Sequence, residues 1–183
     1  MAAITPDLRQ RWTTDSARWP GGMLAREAHY LDGKLNDAPG ETPAVSPWPD
    51  GTLFAGVPLS GALPAVREWH CGGALLQEDH YLDGVLNDAA DGTPARRALN
   101  LGGQIIREEH YLAGKRNDLP DGTPAVREWH CGGALRAEAH YLDGIPNDLP
   151  DGTPAERRWH YDGRLTMERH YRSGRYVPPP AYR

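Results

Sequence analysis

A block of ten residues recurs every thirty residues along most of the chain. The block spans Leu135–Gly144, and the same pattern returns at Leu75–Gly84, Ile105–Gly114 and Leu165–Gly174. A fifth copy, Leu24–Gly33, begins 51 residues before Leu75. Such a period is typical of repeat architectures, in which each supersecondary unit stacks on its neighbours. The repeat therefore predicts one elongated object built from similar pieces.

Each unit is predicted to be a β-hairpin. The stretch Ala125–His130 carries β-branched and aromatic residues suited to a strand. Gly132-Gly133 predicts a two-residue primed turn, as does Asp162-Gly163 in the last copy. Leu135–Leu142 is predicted to form the return strand, and Asp143-Gly144 to turn the chain again. A helix is a poor alternative, since Gly or Pro interrupts the pattern about every ten residues.

The predicted fold is all-β: an elongated, single-layer antiparallel sheet of stacked hairpins. Strands about 4.8 Å apart would advance the sheet by roughly 10–15 Å per unit. The predicted organisation is an N-terminal cap segment at 1–18, a repeat domain at 19–174 with an insertion at about 43–63, and a Pro-rich tail at 175–183. Within the cap segment, Pro6–Trp12 is predicted to form a short helix.

Charge and composition narrow the function classes. Lys plus Arg number 20 against 25 Asp plus Glu, a formal net charge of −5. This balance argues against direct nucleic-acid binding, which normally uses a basic face. No apolar run approaches the about 20 residues of a membrane helix, and the first residues do not resemble a signal peptide. We therefore expect a cytoplasmic protein with no membrane partner, in which Cys71 and Cys131 are free thiols.

The eight histidines fall into two columns of the repeat. In every copy of the ten-residue block a Glu stands two residues before a His, as in Glu138 and His140. One hypothesis is a metal or acid–base ladder. The favoured alternative is a structural ladder, in which each Glu accepts from a neighbouring His or backbone group and fixes the strand register. Equal copies strung along an open sheet do not converge on one ion or one reaction centre. We therefore expect no enzyme activity, no metal and no cofactor.

Two features break the symmetry of the repeat. In the third unit Ala98–Leu101 replaces Glu-Trp-His-Cys, and the missing Trp predicts a gap that a partner side chain could enter. The insertion places aromatic and apolar residues in a Gly/Pro-rich loop, which is either a packed plug or an interface anchor. The predicted partner-binding residues are Glu41, Trp48, Asp50, Leu53, Phe54, Glu78, Asp79, Leu99, Glu108 and Glu109.

The positions that recur in a complete unit are Trp129, Gly133, Leu135, Glu138, His140, Tyr141 and Gly144. This pattern resembles the MORN-variant repeat, a short hairpin unit rich in Gly and Tyr. Asn147-Asp148 and Asp151–Ala155 look like the linker of that family, with Asn-Asp in place of His-Arg and a Thr inserted between Gly and Pro.

The resemblance implies an immunity role, because many bacterial proteins of that family look like antitoxins of polymorphic toxins. The partner would be a cognate toxin, basic and nucleic-acid-targeting, such as a nucleic-acid deaminase, and the chain would occlude its active-site cleft. Acidic side chains would then face a basic cleft and speed association. Two alternatives stay open: a non-enzymatic repeat scaffold for another protein or membrane partner, and a metal-dependent enzyme that uses the Glu and His columns.

Overall fold

A computed structural model describes residues 11–38 and 63–178, and within them the chain is all-β. Eleven strands follow one another in a single antiparallel sheet, as the repeat predicts. They are β1 (Trp12–Arg18), β2 (Leu24–Leu31), β4 (Val66–Trp69), β5 (Leu75–Asp79), β8 (Arg96–Leu99), β9 (Ile105–Glu109), β12 (Val126–Trp129), β13 (Leu135–Ala139), β16 (Glu156–Trp159), β17 (Leu165–Arg172) and β18 (Arg175–Val177).

The hairpin turns differ from the predicted two-residue primed form. In β12/β13 the Gly133 amide donates to the His130 carbonyl, and the His130 amide donates to the Ala134 carbonyl. Gly133 has a φ of 84°, whereas Gly132 does not have a positive φ. The loop is therefore a three-residue connection that ends on a left-handed glycine. His160–Arg164 repeats this geometry, so the prediction for Asp162-Gly163 was wrong in the same way.

The predicted return strand is divided in the middle units. β13 ends at Ala139, and after His140 the chain enters a small separate hairpin, Tyr141–Leu142 against Ile145–Pro146. Asp143 and Gly144 turn this small hairpin with φ values of 52° and 82°, which is the primed turn expected there. The remaining short strands are β3 (Lys34–Leu35), β6 (Tyr81–Leu82), β7 (Val85–Leu86), β10 (Tyr111–Leu112), β11 (Lys115–Arg116), β14 (Tyr141–Leu142) and β15 (Ile145–Pro146).

The sheet begins and ends with residues that depart from the repeat. Trp12–Arg18, which the sequence pattern places in a segment before the repeats, forms the exposed edge strand β1 and pairs with β2. Of the predicted helical cap, only Arg11 and Trp12 lie within the described residues, and Trp12 begins that strand. At the other end Val177-Pro178 stands where earlier units carry Asn-Asp.

The insertion leaves the sheet at a defined point. Ala38 and Leu63 exchange two backbone hydrogen bonds, of 3.0 and 2.8 Å. In a later unit Leu119 and Thr123 hold the equivalent positions and enclose a three-residue turn. Residues 39–62 therefore take the place of that turn. Glu41, Trp48, Asp50, Leu53 and Phe54 lie outside the described residues, so their predicted contacts stay predictions.

The core is thin and largely polar. Four alanines that end the loops, Ala65, Ala95, Ala125 and Ala155, are fully buried together with Ala28. A few larger apolar side chains, such as Leu24 and Trp69, are buried as well. Most of the other buried side chains are acids and histidines: Glu27, His29, Glu78, Asp79, His80, Glu109, His110, Glu138 and His140. Burying such groups is costly unless each finds a partner, so the hydrogen bonds of these residues decide whether the units stack.

Candidate functional site

The aspartate of each Asn-Asp pair joins its own unit to the next. One oxygen of Asp118 accepts hydrogen bonds from the amides of Ala125, at 2.8 Å, and Tyr141, at 2.9 Å. The other lies 2.7 Å from Nδ1 of His140. We call this arrangement the aspartate clasp. It recurs at Asp37, Asp88 and Asp148, with His80, His110 and His170 as the partners.

The clasp corrects the predicted role of the histidine ladder. His140 hydrogen-bonds to the aspartate of the preceding unit, whereas its Nε2 stands 3.9 Å from Glu138. In the first unit Thr14 of β1 contacts Nδ1 of His29 at 3.1 Å. Sequence reasoning missed the aspartates, although the fixed Asn-Asp spacing after each Gly was a visible signal.

The clasp also sets the charge of His140. Burial disfavours the imidazolium, but the hydrogen bond to Asp118 and the nearby Glu138 outweigh it and raise the pKa of His140 to about 9. Burial acts to raise the pKa of Glu138, yet the nearby His140 cation and the hydrogen bond from Arg157 lower it below the ordinary value. This histidine is therefore a fixed cation between two carboxylates at neutral pH, which suits a structural role.

An alternating row of acids and arginines crosses one face of the sheet. We call this the Arg127 face, because Arg127 lies opposite both Glu108 and Glu138 in the register. The full row across the strands is Glu27, Arg67, Glu78, Arg97, Glu108, Arg127, Glu138, Arg157 and Glu168. Opposite charges placed directly across strands stabilise a sheet and disfavour a slipped register.

Four of the predicted partner-binding acids are paired within the sheet. On the Arg127 face, Arg97 donates to Glu78 at 2.8 Å and Arg127 donates to Glu108 at 3.1 Å. On the opposite face, which we call the Glu128 face, Arg96 binds Asp79 through two nitrogens. Glu109 is only 2% exposed. The structure divides these four acids between the faces and gives each a partner, so their role in partner binding stays a prediction.

Of these four acids, Glu109 accepts hydrogen bonds from the largest number of side chains. It accepts from Arg107, Arg116 and the Tyr111 hydroxyl. Burial acts to raise the pKa of Glu109, but these donors outweigh it and lower the pKa. The same hydroxyl contact, with burial, raises the pKa of Tyr111.

The third unit opens a cleft of about 340 Å³ between β8 and the hairpin β12/β13. Ala98 stands where other units carry Glu68, Glu128 and Arg158. The lining residues are Ala98, Ile106, Arg107, Glu128, Trp129, His130, Cys131 and Arg136. A gap in this unit was predicted from the missing Trp, but the lining includes Ala98 and not the half-buried Leu99.

The walls of the cleft combine an aromatic residue with charged groups. Arg107 is ion-paired with Glu128, and the exposed Arg136 lies 4.0 Å from the same carboxylate. The guanidinium of Arg127 lies 5.6 Å from the ring centre of Trp129. Arginine and aromatic side chains are the residues that most often dominate binding energy at protein interfaces. An open cleft of this composition fits an inserted side chain of another protein.

A column of exposed leucines follows the small hairpins. Leu82, Leu112 and Leu142 are between 55 and 60% exposed, and Val85 and Ile145 stand beside them. The alternation rule placed Leu142 on the same face as His140, which is buried, because it did not anticipate the break after Ala139. This column is a second candidate contact surface, and it was not singled out from the sequence.

The described residues also bear on the cysteines, the metal hypothesis and the membrane prediction. Cys71 and Cys131 are exposed, unpaired turn residues of β4/β5 and β12/β13, with the hairpin β8/β9 between them. Within residues 11–38 and 63–178, no group of three or more His, Cys, Asp or Glu side chains is arranged to hold a metal ion. The same ranges contain no helix of the length and apolarity needed to cross a membrane.

No family model, no curated protein and no solved structure matches this chain.

Proposed function

We propose that the chain is a non-enzymatic immunity protein that binds a cognate bacterial toxin and occludes its active-site cleft. The observation that carries the proposal is the cleft beside Ala98, where a small residue stands in place of the Glu68, Glu128 and Arg158 of the other units. The immunity role itself is inferred from the resemblance of the sequence repeat to MORN-variant repeats.

The nature of the toxin is inferred from charge. With a net charge of −5, the chain suits a basic partner, and nucleic-acid-targeting toxins present a basic cleft. If the toxin is a deaminase, a bound immunity protein would keep a flipped base from its zinc site. The residues that we expect to contact the toxin are Trp129 and Arg136 at the cleft, with the insertion as a further anchor.

The experiment is co-expression with the product of the neighbouring gene, scored by rescue of growth and by co-purification. The test variant is Ala98→Glu, which fills the cleft with the residue that other units carry there and places it beside Arg107. It should abolish rescue and weaken co-purification at least tenfold. The control, Met167→Glu, adds the same charge in the same row on β17, opposite Arg158, and should leave rescue intact.

Failure of the native chain to rescue growth or to co-purify would contradict the immunity role. Equal rescue by the native chain and Ala98→Glu would show that the cleft is not the contact.

The exposed leucine column favours a second candidate, a repeat scaffold for another protein. In that case Leu112→Glu, in the middle of the column, should release the bound partner while Ala98→Glu retains it. A pull-down with both variants followed by identification of the bound protein separates the two functions.

A further inference from the structure

Four of the five acids in the row on the Arg127 face are each paired with an arginine of the following strand. Arg67 of β4 donates to Glu27 of β2 at 2.7 Å. Arg157 of β16 likewise donates to Glu138 of β13 at 2.7 Å. The pairs Arg97–Glu78 and Arg127–Glu108 have the same direction. Each of these arginines therefore donates to the acid on the preceding strand, although an equivalent acid lies opposite it on the following strand as well.

The last acid of the row is left without such a partner. Glu168 on β17 lies opposite Arg157, but Arg157 is bound to Glu138. Glu168 is exposed and has no hydrogen bond or ion pair with any other described residue. The equivalent Glu138, which a following strand covers, is only 8% exposed. Glu168 therefore lies where the other units have an acid that accepts from an arginine of the following strand. The described part of the chain does not supply that following strand.

The backbone beside Glu168 is open as well. Leu165–Arg169 pairs with β16 on one side. β18 pairs only with the later residues His170–Arg172 of β17, so among the described residues nothing pairs with the outer side of Leu165–Arg169. An edge of this kind is a template on which an extended segment can add as a further strand.

We propose that the outer edge of β17 at Leu165–Arg169 is a docking site for an extended, arginine-bearing strand of a partner protein. The strand adds antiparallel to β17, and its arginine lies opposite Glu168. Backbone hydrogen bonds supply affinity, and the buried ion pair selects the register. The inference goes beyond the proposed function, since it concerns a different surface and does not depend on what the partner's own activity is.

A second copy of the chain is a poorer occupant. Among the described residues its open edges along the row of alternating charges are β1, which carries Ser16 there, and Leu165–Arg169 of β17, which carries Glu168 itself and would set like charges against each other. A serine hydroxyl offers no cation to Glu168, whereas every internal donor strand that serves this row supplies an arginine. The chemistry of the row therefore favours a partner with a basic strand over head-to-tail association.

The internal strands define a suitable probe. A labelled peptide with the sequence of Ala125–His130 reproduces the strand that docks on β9, including Arg127. Fluorescence anisotropy with the full chain should show saturable binding. Glu168→Arg should weaken that binding at least tenfold, and a peptide with Glu in place of its arginine should recover affinity for Glu168→Arg but not for the native chain.

Controls separate this site from its alternatives. Asp15→Arg makes the same change of charge on the opposite edge strand and should leave peptide binding unchanged. Lack of peptide binding, or equal binding by the native chain and Glu168→Arg, overturns the proposal. Binding that appears only after removal of residues 179–183 assigns the edge to the tail, and self-association abolished by Glu168→Arg assigns it to a second copy. Either result also overturns the proposal.

Discussion

At the scale of single residues, the stacking of units depends on one carboxylate per interface. Asp118 of one unit accepts hydrogen bonds from two backbone amides and an imidazole of the following unit. Asn117 adds a further link, because its side-chain oxygen accepts from the Asp143 amide at 2.9 Å. In a buried polar network each hydrogen bond is electrostatically stronger than in water, because the local dielectric is low. The Asn-Asp pair therefore fixes the position of each unit against the next.

Replacing Asp118 with alanine should be strongly destabilising. The change leaves the charged His140 and two buried amides without their acceptor, and breaking a buried pair of this type costs about 3 kcal/mol or more. Urea denaturation followed by circular dichroism measures the loss in free energy of unfolding. Asp121→Ala, in the exposed turn of the same loop, should cost far less. Equal losses in the two variants would contradict the clasp.

The raised pKa of His140 predicts a pH dependence of stability. The folded chain holds this proton up to about pH 9, whereas an unfolded histidine releases it near its ordinary pKa of 6.5. The stabilisation is therefore fully present below about pH 6.5, falls between pH 6.5 and 9, and is absent above. The shift corresponds to about 3 kcal/mol at most.

Urea denaturation at pH 6 and at pH 9.5 measures this dependence. The native chain should lose more stability between the two values than His140→Gln, which cannot titrate there. An NMR titration that places the pKa of His140 near or below 6.5 would rule out the charged clasp.

At the scale of the hairpin, the turn glycines are not interchangeable. Gly133 has a positive φ and Gly132 does not, while a Cβ added at either position meets no atom within 4 Å. Gly133→Ala should therefore cost about 1–2 kcal/mol through backbone strain alone, and Gly132→Ala should cost clearly less. Thermal denaturation of the two variants measures the difference. Equal melting temperatures would be incompatible with a left-handed residue at position 133.

The sequence predicted the hairpins and their order well, but it did not predict the contacts between one hairpin and the next. Strand alternation and turn residues predicted β12, β13 and the stacked order, because these depend on local pattern. The break after Ala139 was not predicted, since Tyr141 and Leu142 continue the alternation. At this point the His140 amide leaves the ladder and donates to the Ala155 carbonyl of the following loop, a contact that no local pattern encodes. A gap was predicted at Leu99, in place of the missing Trp, whereas the cleft is lined by Ala98 of β8 and by residues of β9 and the hairpin β12/β13. Its lining depends on how strands from two units come together, which no local pattern encodes.

At the scale of the whole molecule, each hairpin meets mainly its two neighbours, so stability is close to a sum of units and interfaces. Deletion of residues 116–145 removes one complete period and joins Lys115 to Pro146. The shortened chain should fold, and its maximum dimension in small-angle scattering should fall by roughly 10 Å, the width of two strands.

A half-period deletion is the matched control. Removal of residues 116–130 takes out β12 and leaves β9 next to β13, which runs in the same direction. Parallel neighbours need a longer crossover connection than this junction provides, and the acids Glu108 and Glu138 would lie on neighbouring strands, so this variant should not fold. A folded half-period variant, or an unfolded full-period variant, would contradict independent stacking.

After the copy Leu165–Gly174, Val177-Pro178 stands in place of Asn-Asp. This replacement has a consequence for how such an array of repeats changes in length. A hairpin appended after these residues would find neither a carboxylate for its histidine nor an amide oxygen for its small turn, and so would not be held in place. Restoring Asn and Asp at these two positions is the smallest change that would let the sheet hold another hairpin. The identity of this dipeptide therefore decides whether a further unit can be stacked at this end.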